Sequence, residues 1–154
     1  MDDNAEIQAF LLHHLQAIQQ NDVAVYHATT SDDLTLYEWW VTPHRLDGLP
    51  FHDFMMTENA RKGSVFGAPD IPAVEADKPR TRFDLANLRI QHYGECAIAS
   101  YTLLTSTSAG QGVQVNAHNE SRVMAKIDGT WKVVHVHKSP AWHAPHTQPL
   151  EAGS

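Results

Sequence analysis

The end of the chain carries a hairpin signal that constrains the fold more than any other stretch. Asp128-Gly129 separates two runs rich in β-forming residues, at 121–127 and 131–137. Glycine reaches positive φ without steric cost, so Asp-Gly between such runs is a strong signal for a tight β-hairpin. The two runs therefore predict neighbouring antiparallel strands, the second of which is unusually polar because it contains His135, His137 and Lys138.

Helical patterns come first in the chain and strand patterns last. Apolar residues recur at helical spacing from Ile7 to Ile18, Asp22 is suited to cap a second helix, and Pro50 to begin a third. Strands are predicted at 34–39, 81–93, 96–106, 113–127 and from Trp131 onward, with loops at 29–33 and 63–79. This order predicts an α+β domain in which helices pack on one face of a curved, mostly antiparallel sheet.

Length and charge narrow the classes of function. The 154 residues suit one domain, which we assign to 1–139, followed by a proline-containing tail at 140–154. The formal charge of -7 argues against nucleic acid or an anionic membrane as a partner. The single cysteine, Cys96, excludes an intrachain disulfide, and we expect it to be buried and inert. With no signal-peptide pattern or long apolar run, we expect a cytoplasmic protein.

Three motifs resemble the association (hub) domain of calcium/calmodulin-dependent protein kinase II. They are DGTWKVVHVHKS at 128–139, ESRV at 120–123 and FHDF at 51–54. The resemblance implies a nuclear transport factor 2-like (SnoaL-like) fold, a cone of helices over a strongly bent sheet. It also implies assembly into a homo-oligomer, at least a dimer. No kinase motif accompanies these segments, so the chain resembles a free-standing hub domain.

The hub family has a polar pocket inside the cone, and the resemblance carries its residues over by position. The positions are Tyr26, His52, Thr102, Arg122 and Lys138, with Glu120 beside them. Thr102 and Lys138 stand where the family has arginine, so one positive charge is lost and another changes shape. Arginine binds a carboxylate as a fork and lysine as a point charge, so the pocket is expected to accept a small anionic organic molecule.

The length of the hairpin loop decides which side chains share a face. A two-residue loop pairs Ile127 with Thr130 and would place Arg122 opposite His135. A three-residue loop pairs Ile127 with Trp131 and would place Arg122 opposite Val136 and Glu120 opposite Lys138. We favour the second pairing because only it brings Arg122 and Lys138 together, as the resemblance implies.

That pairing puts His135 and His137 on the opposite face with Trp131 and Val133, where packing on another subunit or a loop is expected. Two alternatives for the polar residues stay open: an ion-pair network that stabilises the fold, and a small-molecule site. A third hypothesis is a cofactor-independent isomerase, dehydratase or cyclase with His52, Tyr26 or Glu120 as acid or base. The sequence assigns no catalytic residue, cofactor or metal ligand.

Overall fold

The computed structural model describes residues 3–62, 80–109 and 112–141. Its elements, in chain order, are α1 (Asp3–Gln19), α2 (Val23–Thr29), β1 (Thr30–Tyr37), β2 (Leu46–Asp47), α3 (Pro50–Lys62), β3 (Arg80–Tyr93), β4 (Cys96–Ala109), β5 (Gly112–Ile127) and β6 (Thr130–Pro140). The strands form one sheet in the order β2-β1-β6-β5-β4-β3, antiparallel except where β1 runs parallel to β6. The predicted α+β class is confirmed.

Local signals account for the helix boundaries. Asp22 caps α2, its carboxylate accepting a hydrogen bond from the backbone N–H of Val25 at 3.2 Å. Pro50 begins α3, as expected of a residue that lacks an N–H where the helix needs none. The loop predicted at 29–33 is wrong, because β1 begins at Thr30. The loop predicted at 63–79 and the tail beyond residue 141 lie outside the described residues.

The helices cover one face of the sheet, and the core lies between the two layers. It contains Ile7, Leu11, Leu15, Leu34, Leu36, Ala97, Ala99, Met124, Val133 and Val136, among others. We call the sheet face toward the helices the inner face and the opposite one the outer face. Cys96, at the start of β4, is exposed, so its predicted burial is wrong. Among the described residues, no helix is long and apolar enough to cross a membrane.

The hairpin between β5 and β6 combines both of the pairings considered above. Ile127 pairs with Thr130 across a two-residue turn, with φ of 51° at Asp128 and 81° at Gly129, so the three-residue loop is wrong. Further along, Met124 pairs with Val133 but Val123 pairs with His135. The residue between them, Val134, is a β-bulge that shifts the register by one.

The bulge produces the predicted pairing by a different route. Beyond it, Glu120 lies opposite Lys138 and Arg122 opposite Val136. The inward alternation therefore changes phase: Trp131 and Val133 are buried before the bulge, and Val136 and Lys138 after it. His135 and His137 lie on the outer face as predicted, but without Trp131 and Val133, which belong to the core.

Candidate functional site

Eight polar or charged side chains lie together inside the core, and we call them the buried polar cluster. They are Tyr26, Glu38, His52, Tyr101, His118, Glu120, Arg122 and Lys138, each at most 5% exposed. Both helices α2 and α3 contribute to it, together with β4, β5, β6 and the residue that follows β1. Burying so many polar groups costs desolvation free energy unless they pair with one another. In this part of the core, polar side chains occupy positions that apolar side chains could fill.

Glu120 organises one half of the cluster. Its Oε1 accepts hydrogen bonds from the Tyr101 hydroxyl, at 2.6 Å, and from Nη1 of Arg122. Its Oε2 lies 2.5 Å from Nε2 of His118 and 4.0 Å from Nζ of Lys138. Arg122 also donates from Nη1 to the Tyr101 hydroxyl at 2.7 Å. Because β4, β5 and β6 are neighbours, their inward side chains meet at this carboxylate.

Glu38 organises the other half. Its Oε1 lies 2.7 Å from Nζ of Lys138 and 3.6 Å from Nε2 of His52. The other ring nitrogen of His52, Nδ1, accepts a hydrogen bond from the hydroxyl of Tyr26. Lys138 therefore lies between the two carboxylates and joins both halves into one network.

The charges in the cluster balance. Burial by itself would raise the pKa of Glu120 and of Glu38, because it strips water from a charge. Arg122 and Lys138 outweigh burial at Glu120, as Lys138 and His52 do at Glu38, so the pKa of each carboxyl is lowered. Burial lowers the pKa of His52 and keeps its ring neutral. Two carboxylates thus face two cations at neutral pH.

A cavity opens beside the Glu120 half. The enclosed space is about 30 Å³, and the cavity is partly open to solvent. Its mouth lies between the end of α1, at 15–19, and the start of β3, at 81–83, where the side chain of Gln19 donates to the Thr81 carbonyl. Its inner wall is made by Leu103, Thr105, His118, Glu120, Arg122 and Lys138.

Arg122, one of the residues that line this wall, has an unused donor. Although the residue is 1% exposed, its Nε has no hydrogen-bond acceptor among the described residues. A buried donor left unpaired costs roughly 1 to 3 kcal/mol, and more in a charged group. The site is therefore incomplete in hydrogen bonding at this atom.

Five of the predicted site residues come together in the cluster, and one does not. Tyr26, His52, Glu120, Arg122 and Lys138 form a connected network. Thr102 instead bonds to Asn119 at 2.7 Å on the outer face, so its placement in the pocket is wrong. Alternation along β4 explains this: the neighbouring residue, Tyr101, points inward.

Sequence reasoning missed three members of the cluster. Glu38 continues the inward alternation of Leu34 and Leu36, which was a usable signal. His118 shares a strand face with Glu120 and Arg122, a pattern equally readable in the sequence. Tyr101 became recognisable only once the pairing of β4 with β5 set it opposite Glu120.

Trp39 and Trp40 lie in the turn after β1 and partly cover the cluster. They are 40% and 39% exposed, and their ring centroids are 5.4 and 5.9 Å from that of His118. Nζ of Lys138 lies 5.2 Å from the centroid of Trp40. Within the described ranges, no three histidine, cysteine or carboxylate side chains are grouped so as to hold a metal ion.

Solved structures of similar fold include hub domains. The CaMKII hub homology domain of Chlamydomonas reinhardtii is 28% identical, with a TM-score of 0.75 over 92% of this chain and 100% of that one. The C. elegans CaMKII association domain is 24% identical, with a TM-score of 0.72 over 88% and 94%. An NTF2-like protein from Cytophaga hutchinsonii is 16% identical, with a TM-score of 0.68 over 91% and 99%. These likenesses confirm the predicted fold.

A family model matches most of the chain. No match was found among the curated proteins. The family model described as the calcium/calmodulin dependent protein kinase II association domain matches residues 3–66 and 72–142, a span that contains every member of the buried polar cluster. The chain therefore belongs to the calcium/calmodulin dependent protein kinase II association domain family.

Proposed function

We propose that this chain is an oligomerisation domain that binds a small organic acid in the cavity beside its buried polar cluster. The observation that carries the ligand is the unused Nε–H of Arg122, a residue that lines the cavity. A carboxylate would supply the missing acceptor and would make a charge-assisted hydrogen bond. Such bonds contribute more than neutral ones in a site shielded from water.

Charge at the mouth supports the same ligand class. Glu38 and Glu120 offset the charges of Lys138 and Arg122, so an incoming anion needs a further positive charge nearby. Arg82 lines the mouth of the cavity, and its partner Asp84 lies outside the lining at 2.9 Å from Nη2. This ion pair is exposed and contributes little to stability, so the guanidinium is free to turn toward a ligand.

A thermal-shift screen with small monocarboxylates tests the ligand. We expect propionate to raise the melting temperature of the wild type and propionamide, its uncharged analogue, to leave it unchanged. Arg122→Lys keeps the charge but removes the Nε–H, and it should abolish the shift. Arg89→Lys on the exposed side of β3 is the matched control and should keep it. A shift retained in Arg122→Lys, or absent from the wild type for every carboxylate, would contradict the proposal.

The outer face supports the assembly half of the proposal. Its central positions on three strands carry no Asp, Glu, Lys or Arg: Ile98, Ser100, Thr102 and Leu104 on β4, Ala117, Asn119, Ser121 and Val123 on β5, and His135, His137 and Ser139 on β6. Depletion of charge at the centre is the compositional mark of a protein interface. We therefore assign the contact between copies to this face, within a hub domain of residues 1–139.

Light scattering measures the assembly directly. The family is described as an association domain, so we expect light scattering to give the mass of a homo-oligomer, at least a dimer, over a wide range of protein concentrations. A monomer at every concentration would contradict the proposed oligomerisation but would not affect the proposed ligand binding.

Location and partners complete the proposal. The formal charge of -7 favours small molecules and further copies of the chain over nucleic acid and anionic membranes. The exposed thiol of Cys96 supports a reducing, cytoplasmic location, because exposed thiols tend to oxidise elsewhere. Cell fractionation tests the location.

Acid–base chemistry at Tyr26 and His52 is the less favoured candidate. Both side chains are buried, and neither is among the described residues that line the cavity, so a substrate there would not reach them. The pKa of Tyr26 is also raised by burial, which makes its hydroxyl a weaker acid.

A further inference from the structure

His118 has the geometry of an oriented general base. It is 5% exposed and lines the cavity, and its Nε2 lies 2.5 Å from Oε2 of Glu120. With Glu120 ionised, this nitrogen carries the proton and donates it to the carboxylate. The other nitrogen, Nδ1, makes no hydrogen bond with the described residues.

The surroundings of His118 hold its ring in place. Trp39 contacts the imidazole nearly edge-on, with an interplanar angle of 62°, and Trp40 contacts it at 52°. The carboxylate fixes the tautomer and the two indoles fix the ring plane. A general base held by a carboxylate in this way is pre-organised for proton transfer.

Lys138 and Arg122 line the same cavity as this base. Lys138 Nζ lies 4.0 Å from the Glu120 oxygen that holds His118, and Arg122 contacts the other oxygen of that carboxylate. In the proposed function, Arg122 binds the carboxylate of the ligand. Lys138 is then placed to stabilise negative charge that develops beside that carboxylate.

We propose that the cavity catalyses enolisation of a small 2-oxo acid, with His118 as the general base. This rests on the proposed function, since Arg122 holds the substrate carboxylate. His118 Nδ1 removes a proton from carbon 3: the C–H bond breaks, an N–H bond forms, and the electron pair moves to the 2-oxo oxygen. Lys138 stabilises the enolate oxygen, and the imidazolium returns a proton to carbon 3. No cofactor, oxidant or reductant is needed.

Hydrogen–deuterium exchange of pyruvate tests this step. The full chain is incubated with pyruvate in phosphate-buffered D₂O, and loss of the methyl signal is followed by proton NMR. The wild type should exchange faster than buffer alone, and His118→Asn should lower the enzymatic rate about 100-fold, a usual contribution of a general base. His92→Asn, on β3 and outside the cavity lining, is the matched control and should keep the wild-type rate.

Binding measured in parallel separates the two proposals. Pyruvate should raise the melting temperature of the wild type and of His118→Asn alike, since Arg122 is intact in both. A shift in the wild type with exchange no faster than buffer would overturn the enolisation proposal and leave the proposed function standing. No shift at all would overturn the proposed function. Exchange in folded His118→Asn at the wild-type rate would show that His118 is not the general base. If His118→Asn does not fold, the same measurement is made with His118→Gln.

Discussion

Glu120 is the residue on which the buried polar cluster depends most. Four side chains share its two oxygens: Tyr101 and Arg122 at Oε1, His118 and Lys138 at Oε2. Removing its charge leaves the Arg122 guanidinium, 1% exposed, without its partner. An uncompensated buried cation costs far more than the intact pair contributes.

We expect Glu120→Gln to lower the free energy of unfolding by about 3 to 5 kcal/mol, the usual cost of breaking a buried ion pair. Urea denaturation measures the change. Glu95→Gln in the exposed turn between β3 and β4 is the control and should stay within about 0.5 kcal/mol of the wild type. Equal effects of the two substitutions would mean that Glu120 does not support the cluster.

Two buried histidines make the protein sensitive to mild acid. Burial, followed by the positive charge of Arg122, lowers the pKa of His14, and burial lowers that of His52. Below about pH 6.5 the unfolded chain takes up protons that the folded chain excludes at these rings. The free energy of unfolding should therefore decrease as the pH is lowered below 6.5, by up to about 1.4 kcal/mol per pH unit for each histidine.

Denaturation at pH 7.5, 6.5 and 5.5 measures this slope. His14→Leu should reduce the slope because it removes one of the two groups. His13→Leu, on the exposed side of the same helix, should leave the slope closer to that of the wild type. Stability that rises toward pH 5.5 would show that the buried rings are protonated in the folded state.

At the scale of the element, the turn and the bulge of the last hairpin have separate effects: the turn connects β5 to β6, and the bulge shifts their register. The turn needs two residues at positive φ, which Asp128 and Gly129 supply. The bulge at Val134 changes which face the rest of β6 presents to the core. Lys138 reaches the cluster only because of that change.

We expect Gly129→Ala to destabilise the fold by about 1 to 2 kcal/mol, because a side chain at a φ of 81° meets its own backbone. Gly112→Ala is the control: Gly112 has no unusual φ, and nothing lies within 4 Å of an added Cβ. Urea denaturation compares them. If both substitutions cost the same, the turn conformation does not limit stability.

At the scale of the whole molecule, the sheet separates two surfaces with different chemistry. The inner face carries the balanced charges of the buried polar cluster, and the outer face is uncharged at its centre. His137 lies on the outer face beside Tyr37, with ring centroids 5.0 Å apart. In a symmetric interface the same substitution appears on both copies, so it adds two like charges to one contact.

His137→Glu should therefore lower the mass measured by light scattering toward the monomer, because like charges repel across the contact. His13→Glu makes the same chemical change on the exposed side of α1 and should keep the wild-type mass. An unchanged mass for His137→Glu would place the interface elsewhere.

Much of the site was readable in the sequence, and the parts that were not depend on contacts between distant segments. Glu120 and Arg122 share a face by alternation alone, whatever their partners are. Glu38 joins them only through the parallel pairing of β1 with β6, which brings Tyr37 beside His137 across the sequence. Thr102 was misplaced because a match by position carries no information on which way a side chain points.

The sequence by itself determined the order of helices and strands, the helix cap at Asp22, the turn at Asp128-Gly129 and the family, because these depend on neighbouring residues and short motifs. Only the tertiary structure decided which residue of β6 is extruded. Trp131 and Val133 must be buried in the core and Lys138 must reach Glu38, which a strict alternation of two cannot satisfy. The bulge at Val134 resolves that conflict, and its position follows from packing on the helices and neighbouring strands.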